Sequence, residues 1–487
     1  MSLMDFAGRG TESSPFQIEN TRQLDMVRFY LNKHFKQVAD VDFTGYVSEF
    51  YPNYETEGFT PMGNSVEPFT GSYDGGNKSI SGLFINKTWM GQIGLFGYIS
   101  NAKISNVKTV GTAGCQITCN GPAGAIAGYA EASIIASCSN SITVTGSTCQ
   151  GGIVGQAEST TIKNCINDAD VCGTEQIAGI VSNISADSSI DSCINNGNIS
   201  AVNTFASGIV AFCYNNSVIQ TCVNNGNISS EGTFVGGIVG MGNNGVTIKD
   251  SDNFGQITGA TEIGGIVGQC MDSIHIEQCD NNGGVSGTSS IGGIVGIITG
   301  SYESEVKSCK NTGAVSGSNS IGGISGFLGS EVEVNSNINN GDVTGDDNIG
   351  GIVGQIGGAG VTIVTCENHG KITASNDYAG GIYGFVNHQT VNVSAACSND
   401  NTVVANNYCG GIAGNVGAGS IVSKCVNKGN VSVINDYCGG CFGKITEASR
   451  ITECSSIGDV TGINNIGGFV GYIGESSSIG SSTVAFE

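Results

Sequence analysis

The amino-acid sequence predicts an all-β protein built as a parallel β-helix, that is, a β-solenoid of about fourteen coils. Three observations predict it: a glycine-rich motif that recurs at a nearly constant interval, short β-branched runs beside asparagine-glycine turns, and an unusual composition. Glycine accounts for 78 of the 487 residues and proline for 5, while apolar residues make up 39%. That apolar content is too high for a disordered glycine-rich chain, so the repeats are expected to fold and pack.

The repeat is marked by the motif GGIVG and its variants. Its copies begin at Ile93, Gly124, Gly151, Ala178, Ser207, Gly236, Gly264, Gly292, Gly322, Gly350, Gly380, Gly410, Gly439 and Gly467. From Gly124 onward the interval averages about 29 residues and varies little. A period of this length is typical of solenoids and repeat arrays.

Each repeat is predicted to contain three short strands. One surrounds GGIVG, a second is an apolar run such as residues 246–248, and a third follows an Asn-Asn-Gly turn such as the one in residues 194–200, INNGNIS. Asn and Gly tolerate positive φ, and the flanking β-branched residues favour strands over helices.

Stacking is what makes so short a repeat stable. A single coil cannot bury its own apolar face, but neighbouring coils bury a continuous Ile/Val core and pair their backbone edges. Right-handed coiling is expected because parallel crossover connections are almost always right-handed. A β-propeller is the weaker alternative, because its blades usually exceed about 40 residues.

Two segments are expected along the chain. Residues 1–92 are predicted to form an N-terminal cap and the first coils, with a short amphipathic helix over residues 21–32 that shields the open end. Residues 93–487 are predicted to form the solenoid repeats.

Charge and hydropathy limit the function classes. The chain has 18 basic and 41 acidic residues, a net charge of -23, which would repel nucleic acids and anionic membrane surfaces. It has no apolar run long enough to span a membrane, and its N-terminus, MSLMDFAGRG, lacks the features of a signal peptide. We interpret residues 1–3 as a vector-derived leader and expect an extracellular or cell-surface protein whose export signal has been removed.

Ten of the 19 cysteines fall into one column of the repeat: Cys138, Cys165, Cys193, Cys222, Cys279, Cys309, Cys366, Cys397, Cys425 and Cys454. Ser251 and Asn337 occupy its two gaps. Parallel, in-register side chains have poor torsion angles for a disulfide bond, and free cysteine packs well as a small apolar residue. We therefore predict a structural ladder of buried free thiols.

The motif resembles a known family. GGIVG, with its variants GLFG at Gly94 and GGFVG at Gly467, is similar to the GLUG motif. That motif occurs in tandem in bacterial surface proteins, including the non-catalytic part of some IgA-cleaving peptidases. The resemblance covers about 395 residues, and the segments GRGTESSPFQIEN, FKQVADVDFTGY and PFTGSYDGGNKSISGLFINK resemble the stretch that leads into such repeats. It implies exposure at a cell surface and a role in interactions, without implying a ligand.

The sequence gives little support for catalysis or metal binding. It lacks the zinc-protease motif HExxH, and its histidines, His34, His275, His369 and His388, are widely separated. The CGGC segment at Cys438 is better explained by the repeat than by redox or metal chemistry, and the calcium-binding nonapeptide is absent. The clustered acids and bases of polysaccharide-cleaving β-helices are not evident either. We expect no enzyme activity, no metal and no cofactor.

Two ladders of side chains are candidates for binding. Tyr378, Tyr408 and Tyr437 each precede a GG pair at intervals of about one coil, so their rings should form a stripe that could grip sugars. Ordinary packing at a coil edge is the alternative. The turn asparagines should form a second ladder that is more often self-satisfied than ligand-binding: Asn195, Asn224, Asn281, Asn311, Asn339, Asn368 and Asn427.

The leading functional hypothesis is a non-catalytic, adhesin-like module or stalk that binds a glycan or a host or matrix protein. It is expected to be a monomer, with no nucleic acid partner and no membrane insertion. The alternatives are a non-catalytic arm of a larger secreted hydrolase or IgA-peptidase-like protein, a polysaccharide lyase or glycoside hydrolase, and an inert spacer.

Overall fold

The structure, a computed structural model, describes residues 6–50, 54–112, 114–300, 302–387 and 393–484. Nearly all of its secondary structure is parallel β-strand. The chain divides into two compact units, Met1–Ser230 and Glu231–Glu487. Each unit is a stack of β-strand coils, so the predicted parallel β-solenoid is confirmed in both. The predicted boundary between residues 92 and 93 stays a prediction.

A coil of the first unit passes through five short strands, Val154–Glu158, Thr161–Lys163, Ile166–Asn167, Val171–Gly173 and Glu175–Ala178. Each pairs in parallel and in register with the matching strand of the next coil, Val181–Ser185, Ser189–Asp191, Ile194–Asn195, Ile199–Ala201 and Ala206–Ser207. The backbone edges of one coil are therefore satisfied by its neighbours.

The second unit repeats this plan. One coil contains Val267–Met271, His275–Glu277, Asp280–Asn281, Val285–Ser286 and Ser289–Gly292. These strands pair with Val295–Thr299, Ser304–Lys307, Lys310–Asn311, Val315–Ser316 and Asn319–Gly322. We refer to the strands of a coil, in this order, as its first to fifth strands.

The structure has five strands per coil where the sequence predicted three. Residues with positive φ break the chain between strands and within them, for example Gln278 (φ 54°) between the second and third strands and Ser290 (φ 56°) in the fifth. Because these positions are seldom Gly or Asn, the breaks carry no ordinary turn signal. Runs that looked continuous in the sequence are therefore divided.

The N-terminal segment already belongs to the stack. Its strands Phe16–Ile18, His34–Gln37 and Ser72–Asp74 pair in parallel with one another, and the last pairs with Lys103–Ser105. The predicted helix is shorter than residues 21–32, because the chain must turn to enter the strand that begins at His34. Helix α1 spans Thr21–Met26, a 3-10 turn spans Val27–Phe29, and α2 spans Tyr54–Glu57.

A buried carboxylate holds α1 to the following loop. Asp25 is 1% exposed and pairs with the guanidinium of Arg28. It also accepts hydrogen bonds from the Tyr46 hydroxyl at 3.0 Å and the Ser48 hydroxyl at 2.6 Å. The buried charge is thus compensated by a cation and two neutral donors.

Buried asparagines connect the coils through their amide groups. In the second unit, each Nδ2 donates to Oδ1 of the next asparagine at 2.8 Å, along Asn253, Asn281, Asn311, Asn339, Asn368, Asn399 and Asn427. Each also donates to a carbonyl oxygen two residues ahead, such as Gly313 at 2.9 Å from Asn311. Asn140, Asn167, Asn195 and Asn224 do the same in the first unit.

The expected ladder of self-satisfied asparagines is therefore present, and the structure adds that it is buried. The first asparagine of each Asn-Asn-Gly segment lies in the third strand and faces the core, with an exposed fraction near zero, rather than occupying an exposed turn. The GGIVG motif makes room for it. A Cβ on Gly293 would lie 2.3 Å from Cγ of Asn311 and 2.1 Å from the carbonyl oxygen of Gly323. The glycine of one strand and the asparagine of another therefore depend on each other.

Asn311→Ala should destabilise the protein by about 1–3 kcal/mol, because it deprives a buried carbonyl and a neighbouring buried amide of their hydrogen bonds. Asn340→Ala is the matched control, since Asn340 is the exposed second asparagine of the next coil, and it should change stability by less than about 0.5 kcal/mol. Urea unfolding monitored by circular dichroism measures both. Equal unfolding midpoints for the two variants would contradict a stabilising role for the ladder.

Candidate functional site

The tyrosines predicted from the sequence lie in the fifth strands of three consecutive coils of the second unit, Asp377–Gly380, Asn407–Gly410 and Asp436–Gly439. Tyr378, Tyr408 and Tyr437 have φ values of 62°, 52° and 64°. The strands pair in register, so these residues occupy equivalent positions one coil apart. We call these three residues the tyrosine row.

The rings of the tyrosine row stack face to face. The ring centres of Tyr378 and Tyr408 are 4.7 Å apart with an interplanar angle of 13°. Those of Tyr408 and Tyr437 are 4.8 Å apart at 2°. Both faces of the middle ring are therefore covered by its neighbours. The row presents ring edges and hydroxyl groups to its surroundings rather than the open faces on which sugars stack.

The row forms one side of a cleft with a volume of about 740 Å³, which we call the tyrosine cleft. Phe385, Asn415, Lys444 and Tyr472 line it from the first strands of successive coils, where they are paired in register. The remaining lining comes from the last residue of one of those strands, Val386, and from the segments that follow the strands: Asn387, Gly417, Ala418, Thr446, Glu447, Gly474 and Glu475. The cleft is large enough for a short oligomeric ligand.

The two ends of the row are closed by other aromatic rings. Phe385 lies 4.6 Å from Tyr378, centre to centre, at an angle of 55°. Tyr472 meets Tyr437 edge to face at 6.0 Å and 88°. The ammonium group of Lys444 lies 5.7 Å from the centre of the Tyr408 ring. The aromatic contacts fix the orientation of the row before any ligand arrives.

The hydroxyls of the tyrosine row have no hydrogen-bond partner among the described residues. A second stacked pair makes the contrast clear. Tyr98 and Tyr129, in the first unit, stack at 4.7 Å, and their hydroxyls donate to Glu131 at 3.2 Å and to Glu158 at 2.9 Å. Stacked tyrosines in this fold can thus be satisfied internally, whereas the tyrosine row keeps its donors facing the cleft.

Burial, then neighbouring negative charge, raises the pKa values of two members of the row, Tyr378 and Tyr408. Burial is the main cause that raises the pKa of Tyr378 and of Tyr408 above the usual value of a phenol. The adjacent tyrosines and the carboxylates of Asp347, Asp377 and Asp436 raise these pKa values further. The hydroxyls of Tyr378 and Tyr408 are therefore protonated donors at neutral pH, in a locally negative electrostatic potential.

The predicted cysteine ladder lies in the core beside the third strands. All ten members are at most 1% exposed. Each Sγ lies 3.2–3.5 Å from the carbonyl oxygen two residues before it, as Cys279 does with Glu277 at 3.3 Å. Ser251 reproduces this contact through its hydroxyl, at 2.8 Å from the carbonyl oxygen of Lys249. These positions give the column a packing role and no access to solvent.

The CGGC segment follows the repeat. Cys438 and Cys409 are free cysteines that occupy equivalent positions in hydrogen-bonded strands of neighbouring coils, and Cys441 is fully buried. Cys119 is also buried, while Cys115 is half-buried and its sulfur lies 3.1 Å from the Thr112 hydroxyl. In the part of the chain that the structure describes, no group of three or more His, Cys, Asp or Glu side chains could hold a metal ion.

One charged cluster was missed by the sequence analysis. His369 lies 3.2 Å from a carboxylate oxygen of Glu367 and 3.2 Å from one of Asp400, whose other oxygen is 3.0 Å from the ammonium of Lys428. These residues belong to three successive coils, so only an alignment of repeats would have brought them together. They are exposed or half-exposed. His388, also named above, lies outside the described residues.

Comparisons with known proteins give partial similarities. No family model matches the chain. A protein of Evansella cellulosilytica, provisionally described as a Gly-rich membrane protein, is 38% identical over 107 residues, which is 21% of this chain and 12% of that protein. Halomucin of Haloquadratum walsbyi is 27% identical over 148 residues, 29% of this chain and 2% of that protein. The chain thus spans a small part of the length of either relative.

A solved structure from Bacteroides ovatus, described provisionally as an immunoglobulin A1 protease, matches with 16% identity and a TM-score of 0.28. The match covers 78% of this chain and 86% of that one. Among the described residues, no helix is long and apolar enough to cross a membrane.

A thiol-reactive dye should label the native protein in two stages. Cys115 and Cys172 are half-buried and should react first, whereas the ladder cysteines should react only on unfolding. Burial raises the pKa of Cys138 and of Cys279 far above that of a free thiol, so they carry almost no reactive thiolate. Labelling kinetics with and without denaturant, followed by peptide mass spectrometry, measure this. Rapid native labelling of the ladder, or its failure to react after unfolding without reductant, would contradict buried free thiols.

Proposed function

We propose that the protein is a non-catalytic, adhesin-like module exposed at a cell surface, and that the tyrosine cleft binds its extracellular ligand. The observation that carries this proposal is the row of three hydroxyls along one side of the cleft, which have no hydrogen-bond partner among the described residues. These half-exposed hydroxyls line an open cleft, so a ligand can reach them as hydrogen-bond donors. A row of three that is not paired, held in fixed orientation by stacking, is suited to pairing with a ligand.

The surface location is supported by similarity and by charge. The two relatives are described as a Gly-rich membrane protein and a halomucin. The resemblance of GGIVG to the GLUG motif points the same way, and membership of that repeat family is part of the proposal. A net charge of -23 suits a solvated surface protein that avoids nucleic acids and anionic lipids.

The chemistry of the cleft favours binding over catalysis. Hydrolysis of a glycosidic bond ordinarily needs two carboxyl groups that flank the bond. The two carboxylates of the lining, Glu447 and Glu475, lie in adjacent, hydrogen-bonded segments on one side of the cleft, where the backbone N–H of Ala448 donates to the Glu475 carbonyl oxygen at 3.1 Å. This arrangement supports a binding role, in which the two carboxylates accept hydrogen bonds from a ligand.

The second candidate function is a non-catalytic arm of a larger secreted hydrolase. It is favoured by the small share of its relatives' length that this chain spans. Both candidates use the same solenoid and the same cleft, and they differ in what else the whole protein contains.

The variant Tyr378→Ala/Tyr408→Ala/Tyr437→Ala should lose binding on a glycan and matrix-protein array, because it removes the whole row of donors. Tyr98→Ala/Tyr129→Ala is the matched control, since it removes a stacked pair whose hydroxyls are already satisfied. It should bind as the unmodified protein does. Retained binding by the triple variant, or no binding by the unmodified protein, would remove the support for this site.

Catalysis is tested separately. Incubation with acidic and neutral polysaccharides should release no product, with or without His369→Ala in the charged cluster. Product formation that His369→Ala abolishes would replace the proposed function with an enzymatic one.

A further inference from the structure

We propose that the tyrosine cleft takes an uncharged, hydroxyl-rich chain, a neutral linear polysaccharide, which lies along the tyrosine row and accepts hydrogen bonds from its phenolic hydroxyls. This inference rests on the proposed function and specifies the ligand class of the same cleft. Three features support it: the polar groups that the tyrosine row exposes, the spacing of its rings, and the negative charge around the cleft.

The part of the tyrosine row that a ligand can reach is polar. Face-to-face stacking covers the surfaces that an apolar ligand would use, since Tyr408 has a ring against each face, 4.7 Å away on one side and 4.8 Å on the other. What remains is the electropositive ring edge and the hydroxyl. Proline-rich peptides dock into grooves lined by open aromatic surfaces, so this row suits them poorly. A ligand that offers hydroxyl oxygens along its length suits it well.

The spacing of the donors matches a polymer. The rings repeat at the coil spacing, because the strands that carry them are hydrogen-bonded neighbours. A pyranose unit of an extended chain is comparable in length to one coil step. A linear polysaccharide parallel to the stacking direction can therefore place one sugar unit beside each tyrosine, and the cleft volume of about 740 Å³ holds several units.

The charges around the cleft disfavour acidic ligands. Glu447 and Glu475 line it and are exposed, and Lys444 is the single basic residue in the described lining. Asp377 and Asp436 adjoin the row in the same strands. A uronate or sulfated chain would meet more negative than positive charge here. Sugar hydroxyls, in contrast, can donate to the carboxylates and accept from the ammonium group.

Asn387 and Asn415 complete the polar lining. The Nδ2 of Asn415 donates to the carbonyl oxygen of Val386 at 3.1 Å, which fixes its amide beside the cleft. Asn387 is exposed. Amides next to fixed hydroxyls are the donors and acceptors by which a protein distinguishes one neutral sugar from another.

The test compares two sets of probes by isothermal titration calorimetry with the full chain. The neutral probes are hexasaccharides of β-glucan, xylan and mannan, and the acidic probe is the hexasaccharide of polygalacturonic acid. We expect at least one neutral probe to bind, and the acidic probe to bind at least about tenfold more weakly than it at low salt. High salt should narrow that gap, because it screens the repulsion.

The decisive variant is Tyr378→Phe/Tyr408→Phe/Tyr437→Phe, which keeps the stacked rings and removes the hydroxyls. Its affinity for the neutral probe should fall on the order of a hundredfold, the combined effect of three lost hydrogen bonds. Its thermal unfolding midpoint should stay unchanged, which separates ligand contact from stability. Tyr98→Phe/Tyr129→Phe is the matched control and should bind the probe normally.

Different results overturn different statements. If the Phe variant binds as tightly as the unmodified protein, if the acidic probe binds best, or if none of the probes binds, the neutral-polysaccharide inference is wrong. In each case the proposed function survives if an array ligand, such as a protein, binds the unmodified chain and is lost with the Ala variant. If the Ala variant retains every array ligand, the cleft itself is not the binding site.

Discussion

The structure depends on the in-register hydrogen bonding of each coil with the next, and the buried asparagine amides are the side-chain part of that bonding. A backbone ladder alone would allow strands to slip, but a slip of one residue would turn every asparagine out of the core and away from its partner. Each asparagine side chain is hydrogen-bonded to the next coil and also to a carbonyl oxygen of its own coil. The asparagines therefore hold the turn within a coil and the register between coils at the same time. The glycines of GGIVG leave the space that this requires, as Gly293 does for Asn311.

Fixed register has a direct consequence for the surface. When the same residue type recurs in the sequence at the coil interval, its side chains lie next to one another in successive coils and form a row. Two residues before the GG pair, successive coils of the second unit carry Phe234, Glu262, Ser290, Ser320 and Asn348 before the three tyrosines begin. All of these residues share the same left-handed backbone conformation. The backbone therefore tolerates different side chains there, and the three consecutive tyrosines form a stacked row.

The regular interval explains why much of the fold could be predicted from the sequence. Aligning the repeats was enough to place the cysteines in one column and the tyrosines in one row. The number of strands was not predictable in this way, because left-handed residues such as Gln278 and Ser308 are neither Gly nor Asn. The burial of the asparagines was not predicted either, since Asn-Asn-Gly is an ordinary turn signal and nothing local indicates that its first amide is buried. The cluster around His369 needed three coils to be compared side by side.

The two ladders of the second unit differ in how completely they satisfy themselves, and that difference separates stability from binding. In the asparagine ladder every amide is both donor and acceptor, so successive coils saturate one another and the ladder has nothing left to offer a ligand. In the tyrosine row the contacts between coils are made by ring faces, which do not use the hydroxyls. Stacking thus fixes the row while its hydrogen-bond donors stay available to a ligand. Tyr98 and Tyr129 are the intermediate case. Their rings stack, but their hydroxyls donate to glutamates of the same protein, so the pair stabilises the fold and has no hydroxyl donor left for a ligand.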